Sequence, residues 1–191
     1  MQSGIIILAA GNSSRLGKPK QLLEYKGKSL LEITIRAAAE TSFAPIVVVL
    51  GAYAEQMPQD QLAVTYVINN NWQQGMSTSI AAGITELLQQ EPAIENIIIA
   101  VSDQPFITTE IFNALYQEHL SSGKNVACQY ANTIGTPALF IKKYFDTLLA
   151  LKGSAGAKHI LTQYVDDVST VPFEMGYIDI DTDTDYKNLT N

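Results

Sequence analysis

Short apolar runs, separated by segments whose apolar residues recur at helical spacing, restrict this chain more than any other feature. Ile5–Ala9 is such a run, followed closely by a glycine, and Ile46–Leu50 and Ile97–Val101 repeat it. A strand that is apolar on both sides is one covered on both faces, as in a parallel sheet. Val64–Ile68 and Asn125–Tyr130 are read as two further strands. Ser29 followed by Glu32 forms a capping box ahead of Leu30, Leu31, Ile33 and Ile35, which predicts a helix over 29–40. Ile80, Ile84, Leu87 and Leu88 fall on one helical face, and Thr108 or Thr109 can cap a helix that runs to about His119. In the last third, Ala138–Ile141 is expected as a strand, Lys142–Leu151 and Ala157–Tyr164 as helices, and Val168–Pro172 and Tyr177–Ile180 as short strands. The alternation predicts an α/β fold with a mostly parallel sheet and helices on both faces. Ligands of such folds bind beyond the carboxyl ends of the strands.

The 191 residues, 47% of them hydrophobic, suffice for one substantial core and are few for two. With no repeat, Pro-rich linker or low-complexity segment to mark a boundary, one domain over residues 1–191 is expected. A net charge of −7 argues against nucleic acid or an anionic membrane as partner, so an anionic ligand must be met by a local group of donors. The one cysteine, Cys128, excludes an intrachain disulfide and lies in an apolar stretch, where it reads as a small buried hydrophobe. Met1 leads directly into Gly4-Ile5-Ile6-Ile7-Leu8 without a basic segment or a bilayer-length apolar run. Neither a signal peptide nor a membrane span is expected, and a cytoplasmic location is.

Directly after the first buried strand, residues 8–20 hold small residues, Gly11 and Gly17, Ser13 and Ser14, and the cations Arg15, Lys18 and Lys20. In Leu8-Ala9-Ala10-Gly11 the small residues after Leu8 let backbone N–H groups approach phosphate oxygens, while Arg15 can supply a planar fork and Lys20 a point charge. The spacing is not that of a Walker A loop, because five residues separate Gly11 from Gly17 and Pro19 follows Lys18. Nor does it contain the dinucleotide G-x-G-x-x-G. Asp103 stands at the end of a buried strand, where a carboxylate faces the ligand crevice; capping of the helix near Thr108 is the competing role.

Leu-Ala-Ala-Gly-x-Ser-x-Arg-x-Gly-x-x-Lys at 8–20 resembles the signature loop of the nucleotidyltransferases related to molybdenum cofactor cytidylyltransferase, the MobA-like NTP transferases. Four further segments follow in that family's order: Asn71–Ser79, Ser102–Phe106, Gly135–Phe140 and Asp179–Thr182. The resemblance implies a Rossmann-like three-layer α/β/α sandwich with a mixed sheet, of the nucleotide-diphospho-sugar transferase type. It also implies Mg²⁺, with Mn²⁺ as a substitute, on Asp103 and Asp181, and base and ribose recognition at Gly75 and Ser79. A hard cation that keeps several waters needs only one or two protein carboxylates. Trp72 and Met76 can stack on a ligand or pack, with packing favoured.

The acidic run Asp179-Ile180-Asp181-Thr182-Asp183-Thr184-Asp185 invites a calcium reading, which Thr184 at the sixth position and Thr190 at the twelfth rule out. Asp183 and Asp185 read instead as a solvated turn that caps a short C-terminal helix. Residues 153–158 are similar to a family Gly-Asp-x-Gly-Ala-Arg motif, with Ser154 and Lys158 as departures. His119 and His159 have no partner histidine at ligand spacing.

The expected partners are therefore a nucleoside triphosphate and a small phosphorylated acceptor. Ala10 in place of a second glycine goes, by resemblance, with CTP; molybdopterin is the expected acceptor, and a molybdoenzyme or its chaperone a possible downstream partner. The alternatives are a relative using GTP, a sugar phosphate or a methylerythritol phosphate, and a noncatalytic carrier of the molybdenum cofactor. A triphosphate hydrolase or kinase is disfavoured by the broken Walker spacing.

Overall fold

The computed structural model describes residues 2–59 and 64–190. In chain order its elements are strand β1 (Ser3–Ala9), a hairpin of β2 (Glu24–Tyr25) and β3 (Lys28–Ser29), helix α1 (Leu30–Ala39), β4 (Ile46–Leu50), β5 (Thr65–Ile68), α2 (Met76–Gln90) and β6 (Asn96–Val101). There follow α3 (Thr109–Ser122), β7 (Asn125–Tyr130), β8 (Thr133–Ile141), α4 (Phe145–Leu149), α5 (Ala157–Gln163), β9 (Val168–Pro172) and α6 (Asp183–Thr190).

Seven strands form one sheet in the order β5-β4-β1-β6-β8-β7-β9, and in it β8 alone runs against the others. Side chains alternate across a strand, so β1 sends Ile5, Ile7 and Ala9 to one face and Ile6 and Leu8 to the other. The first face packs under α1 and α3 through Leu31, Ile35, Phe112 and Leu115. The second packs under α2, α4 and α5 through Ile80, Ile84, Leu148 and Ile160. The result is the Rossmann-like three-layer sandwich with a mostly parallel mixed sheet. Cys128 is fully buried in the first layer, and burial pushes its thiol up to about 12.

Ser29 caps α1 as its sequence predicts, its hydroxyl accepting the Glu32 N–H at 3.1 Å. Three expectations are corrected. Tyr177–Ile180 is not a strand: a 3-10 turn occupies Glu174–Tyr177, and the Ile180 N–H donates to the Asp103 carbonyl at 3.2 Å in place of a ladder partner. The helix expected over Lys142–Leu151 is a 3-10 turn at Lys142–Tyr144 followed by the five residues of α4. Val64 precedes the strand that was to begin with it. No helix among the described residues is long and apolar enough to cross a membrane.

Because β1 and β6 are parallel neighbours, the loops that leave their carboxyl ends emerge side by side at one rim. The reversed β8 brings its first residues to that same rim. The sheet thereby gathers residues 8–12, 101–103 and 133–136 within reach of one another.

Candidate functional site

A cavity of about 330 Å³ opens at this rim, walled by Leu8–Asn12, Lys20, Gln21, Trp72, Gln73, Gly75, Met76, Ser79 and Val101–Asp103. Eight of the ten residues singled out in the sequence therefore line one space: Leu8, Ala9, Ala10, Gly11, Lys20, Gly75, Ser79 and Asp103. Arg15 and Asp181 are outside its wall but are tied to it by ion pairs.

The loop after β1 is shaped from within. Ser13 takes a positive φ of 49°, its carbonyl accepts from Leu16 and Gly17, and its hydroxyl accepts the Lys20 N–H at 3.1 Å. Gln21, buried beneath, donates from Nε2 to the carbonyls of Ala9 at 2.9 Å and Gly11 at 3.0 Å. That amide straps the start of the loop to its end. Leu16 anchors the middle in a small apolar group with Leu23, Leu30 and Ile180.

The C-terminal acids arrive through the same group. Full burial of Ile180 supplies about 2 kcal/mol, and its N–H bond to the Asp103 carbonyl sets the neighbouring Asp181 beside Asp103. Asp185 accepts the Thr182 N–H at 2.7 Å while the Thr182 hydroxyl accepts the Asp185 N–H at 3.2 Å. This reciprocal box starts α6 with Thr182 as the cap and Asp185 as its partner in the first turn, so the capping expected of Asp183 and Asp185 falls to Thr182 with Asp185 in support. Asp183 pairs with Lys18 at 3.0 Å in the open.

Lys20 is the charge on which the site converges. Its Nζ lies 2.5 Å from Asp103 Oδ2 and 2.8 Å from Asp181 Oδ1, and the lysine and Asp103 side chains are each only 16% exposed. Arg15 reaches Asp181 Oδ2 at 2.5 Å from a side chain 70% exposed, where solvent screening leaves an ion pair little net strength. Burial opposes the charge on Lys20, yet Asp103, by charge and hydrogen bond, and then Asp181 hold its pKa above the ordinary lysine value. For Asp181, partial burial opposes ionisation, but the hydrogen bond and charge of Lys20 and the charge of Arg15 hold its carboxyl below the usual value. Burial, followed by the charges of Asp103 and Asp181, pushes the nearby Asp179 carboxyl up. Asp103 thus meets Lys20; the competing role as a helix cap near Thr108 is not what its side chain does.

Two carboxylate oxygens that focus on one ammonium fit a hard divalent ion. The donors are oxygen, they converge from separate loops, and they are two in number, as suits a cation that keeps waters and takes further oxygens from phosphates. Asp103 and Asp181 are the residues able to hold it.

Across the cavity, α2 begins at Gly75, whose φ of 111° and ψ of 177° are open essentially to glycine alone. A Cβ there would stand 2.2 Å from the Gly153 carbonyl oxygen. Asn69 donates from Nδ2 to the hydroxyls of Thr78 and Ser79, both at 2.9 Å, which leaves the Ser79 hydrogen free to donate into the cavity. Trp72 both walls the cavity and packs on the β1–α2 layer.

A second cavity of about 270 Å³ shares Leu8, Met76 and Val101 with the first and carries Tyr130, Thr136, Ser154 and Lys158. Lys158 donates to the Thr133 hydroxyl at 2.7 Å. His119 is buried against the Lys124 carbonyl at 2.9 Å, and His159 is exposed on α5. Gln21, Asn69 and Asp179 were not singled out as site residues. Only Asp179 carried a sequence signal, as the first acid of the alternating run.

A doubly covered sheet with a small-residue loop at its central strand, facing a lysine between two carboxylates, defines a nucleotide-binding α/β protein. The chain belongs to the MobA-like NTP transferase family, whose sequence model matches residues 5–168. It is 32% identical over 117 residues to the nicotine blue oxidoreductase of Paenarthrobacter nicotinovorans, covering 60% of this chain and 55% of that one. It is 28% identical over 116 residues to the molybdenum cofactor cytidylyltransferase of Escherichia coli K12, covering 58% and 56%. The chain thus spans about half the length of these two curated relatives. The Mycobacterium tuberculosis H37Rv protein Rv0371c superposes over 99% of this chain and 98% of its own, at 26% identity. Its TM-score is 0.82, and 0.76 in its complex with manganese.

Proposed function

We propose that the chain is a nucleotidyltransferase that moves CMP from CTP onto a small phosphorylated acceptor, molybdopterin or the molybdenum cofactor, and releases pyrophosphate. The observation that carries this reading is the meeting of Lys20, Asp103, Asp181 and Arg15 at the mouth of the cavity walled by Leu8–Gly11. The family favours the reaction class, and the likeness to the cytidylyltransferase and the Ala9-Ala10-Gly11 sequence favour CTP.

In this reaction an acceptor phosphate oxygen attacks the α-phosphorus in line and pyrophosphate leaves, so no side-chain nucleophile is needed. Backbone N–H groups of the 8–11 loop and the Ser79 hydroxyl orient the nucleotide. Arg15 and Lys20 meet the charge that grows on the departing pyrophosphate. Asp103 and Asp181 would hold Mg²⁺, for which Mn²⁺ can substitute, and the ion would supply neutralising charge to the triphosphate. The second cavity, adjoining the first across Met76, receives the acceptor, and Lys158 provides the cation in place of an arginine fork. Work in the cytoplasm and delivery of the product to a molybdoenzyme or its chaperone belong to the same reading.

With Mg²⁺ present, CTP at about 100 times its dissociation constant stabilises the fold by about 2.7 kcal/mol, and GTP, ATP and UTP at that concentration by less. A thermal-shift series checks this, and pyrophosphate release that requires both CTP and acceptor checks the transfer. Tight binding of the molybdenum cofactor without turnover would identify a carrier instead.

Ala10 is buried in the wall beside Gly11. If its methyl narrows the space for a base, Ala10→Gly raises the GTP-to-CTP ratio of kcat/KM by about tenfold, since one methyl group is worth about 1–3 kcal/mol of discrimination. Steady-state rates with both nucleotides decide it. An unchanged ratio makes Ala10 a packing residue.

A further inference from the structure

The pairing of Lys20 with both carboxylates bears on when a metal can enter. The focus of Asp103 Oδ2 and Asp181 Oδ1 is filled by the lysine ammonium, at 2.5 and 2.8 Å. Those are contact distances, so an ammonium and a divalent ion cannot share that focus. Side chains on one loop also occupy the C-terminal acids on either side, Arg15 on Asp181 and Lys18 on Asp183. Arg15 and Lys20, the cations that the family reading assigns to phosphate, thus pair with the carboxylates assigned to the metal.

We propose that Lys20 is a resident counter-ion that neutralises Asp103 and Asp181 and excludes a divalent ion until a triphosphate draws the ammonium away. The proposal rests on the metal assignment given above and extends it to the order of binding. Free metal is admitted poorly; metal and nucleotide are admitted together.

The geometry supports the exchange. Lys20 is fixed at its backbone, where the Ser13 hydroxyl accepts its N–H at 3.1 Å and Gln21 straps the adjoining residues. Its four-carbon stem can therefore swing without moving the loop. Asp103 and Asp181 are held independently of the lysine, by the Ile180 N–H on the Asp103 carbonyl and by the Asp185 cap on the Asp181 and Thr182 N–H groups. When the ammonium leaves, these backbone contacts keep the two segments side by side, so an incoming divalent ion finds both carboxylates within reach. Lys20 also walls the nucleotide cavity, so phosphates in that cavity lie within its reach. Occupation by lysine has a second effect: it spares the free protein two adjacent, partly buried and unpaired carboxylates.

The test uses Mn²⁺ alone, with no nucleotide, and reads bound metal from loss of the free-ion electron paramagnetic resonance signal. Lys20→Met removes the competitor while keeping the apolar stem, and Lys20→Gln serves if the methionine variant fails to fold. Expected is Mn²⁺ affinity higher than that of the wild type by about tenfold or more, the least effect a like charge at contact distance has on an ionisation. The gain should vanish in Lys20→Met/Asp103→Asn and be much smaller in Arg15→Met, which loses the same charge from an exposed position. Affinity equal to or below wild type overturns the proposal. So does a gain that survives loss of Asp103, or one that Arg15→Met reproduces in full, because either would mean diffuse charge and not displacement. Since no CTP is present, these outcomes are independent of whether CTP is the substrate.

Discussion

Asp103→Asn is expected to lower kcat for pyrophosphate release by about a hundredfold to a thousandfold, the scale of losing one charged contact to a reacting phosphate chain. The change is nearly isosteric, and the contact that docks the C-terminal segment uses the Asp103 backbone carbonyl, which the variant keeps. Lys20 retains Asp181 at 2.8 Å, so the loop after β1 also keeps its partner. Circular dichroism should therefore match the wild type while turnover collapses. Wild-type rates at ordinary Mg²⁺ would remove Asp103 from the metal site.

Gly75→Ala acts through the backbone. A β-carbon at φ 111° and ψ 177° carries about 1–3 kcal/mol of strain. It would also stand 2.2 Å from the Gly153 oxygen and 2.8 Å from the Ser154 nitrogen, backbone atoms that cannot rotate aside. Overpacking of this kind adds about 1–3 kcal/mol, and the sum lowers the melting temperature by on the order of 10 °C for a chain of this size. The collision pushes the 153–156 turn off the start of α2, where Ser77 N–H donates to the Gly153 carbonyl at 3.2 Å, so nucleotide affinity should fall as well. An unchanged melting curve would mean that the turn yields at no cost and that the contact does not fix the two segments.

What the sequence made legible follows from periodicity. Ile5–Ala9, Ile46–Leu50 and Ile97–Val101 are buried on both faces, and no other element leaves such an unbroken apolar run. The hairpin of Glu24–Tyr25 and Lys28–Ser29 escaped because two-residue strands have no period to detect. Its one clue is Lys26-Gly27, which take φ of 51° and 77° as a type I′ turn requires. Tyr177–Ile180 misled for the opposite reason: an apolar residue that docks on a distant loop looks like one that faces a sheet. The loop at 8–20 stands out by residue type alone, and the structure places its two ends, Leu8–Asn12 and Lys20, in the cavity wall. Asp181 entered only through family resemblance, since 161 residues separate it from Lys20 and nothing local ties the two. Gln21 and Asn69 act by hydrogen bonds to distant or turned backbone and to hydroxyls, and residue type does not announce such partners.

The group of Leu16, Leu23, Leu30 and Ile180 belongs to neither of the two large cores that sandwich the sheet. It is a clasp that fastens an early loop to a late segment, and none of its four residues lies in a strand. Its loss would release the Arg15 loop and the Asp181 segment together, because both are anchored through it. The sheet and the rim of the cavity are thus fastened by separate sets of apolar contacts.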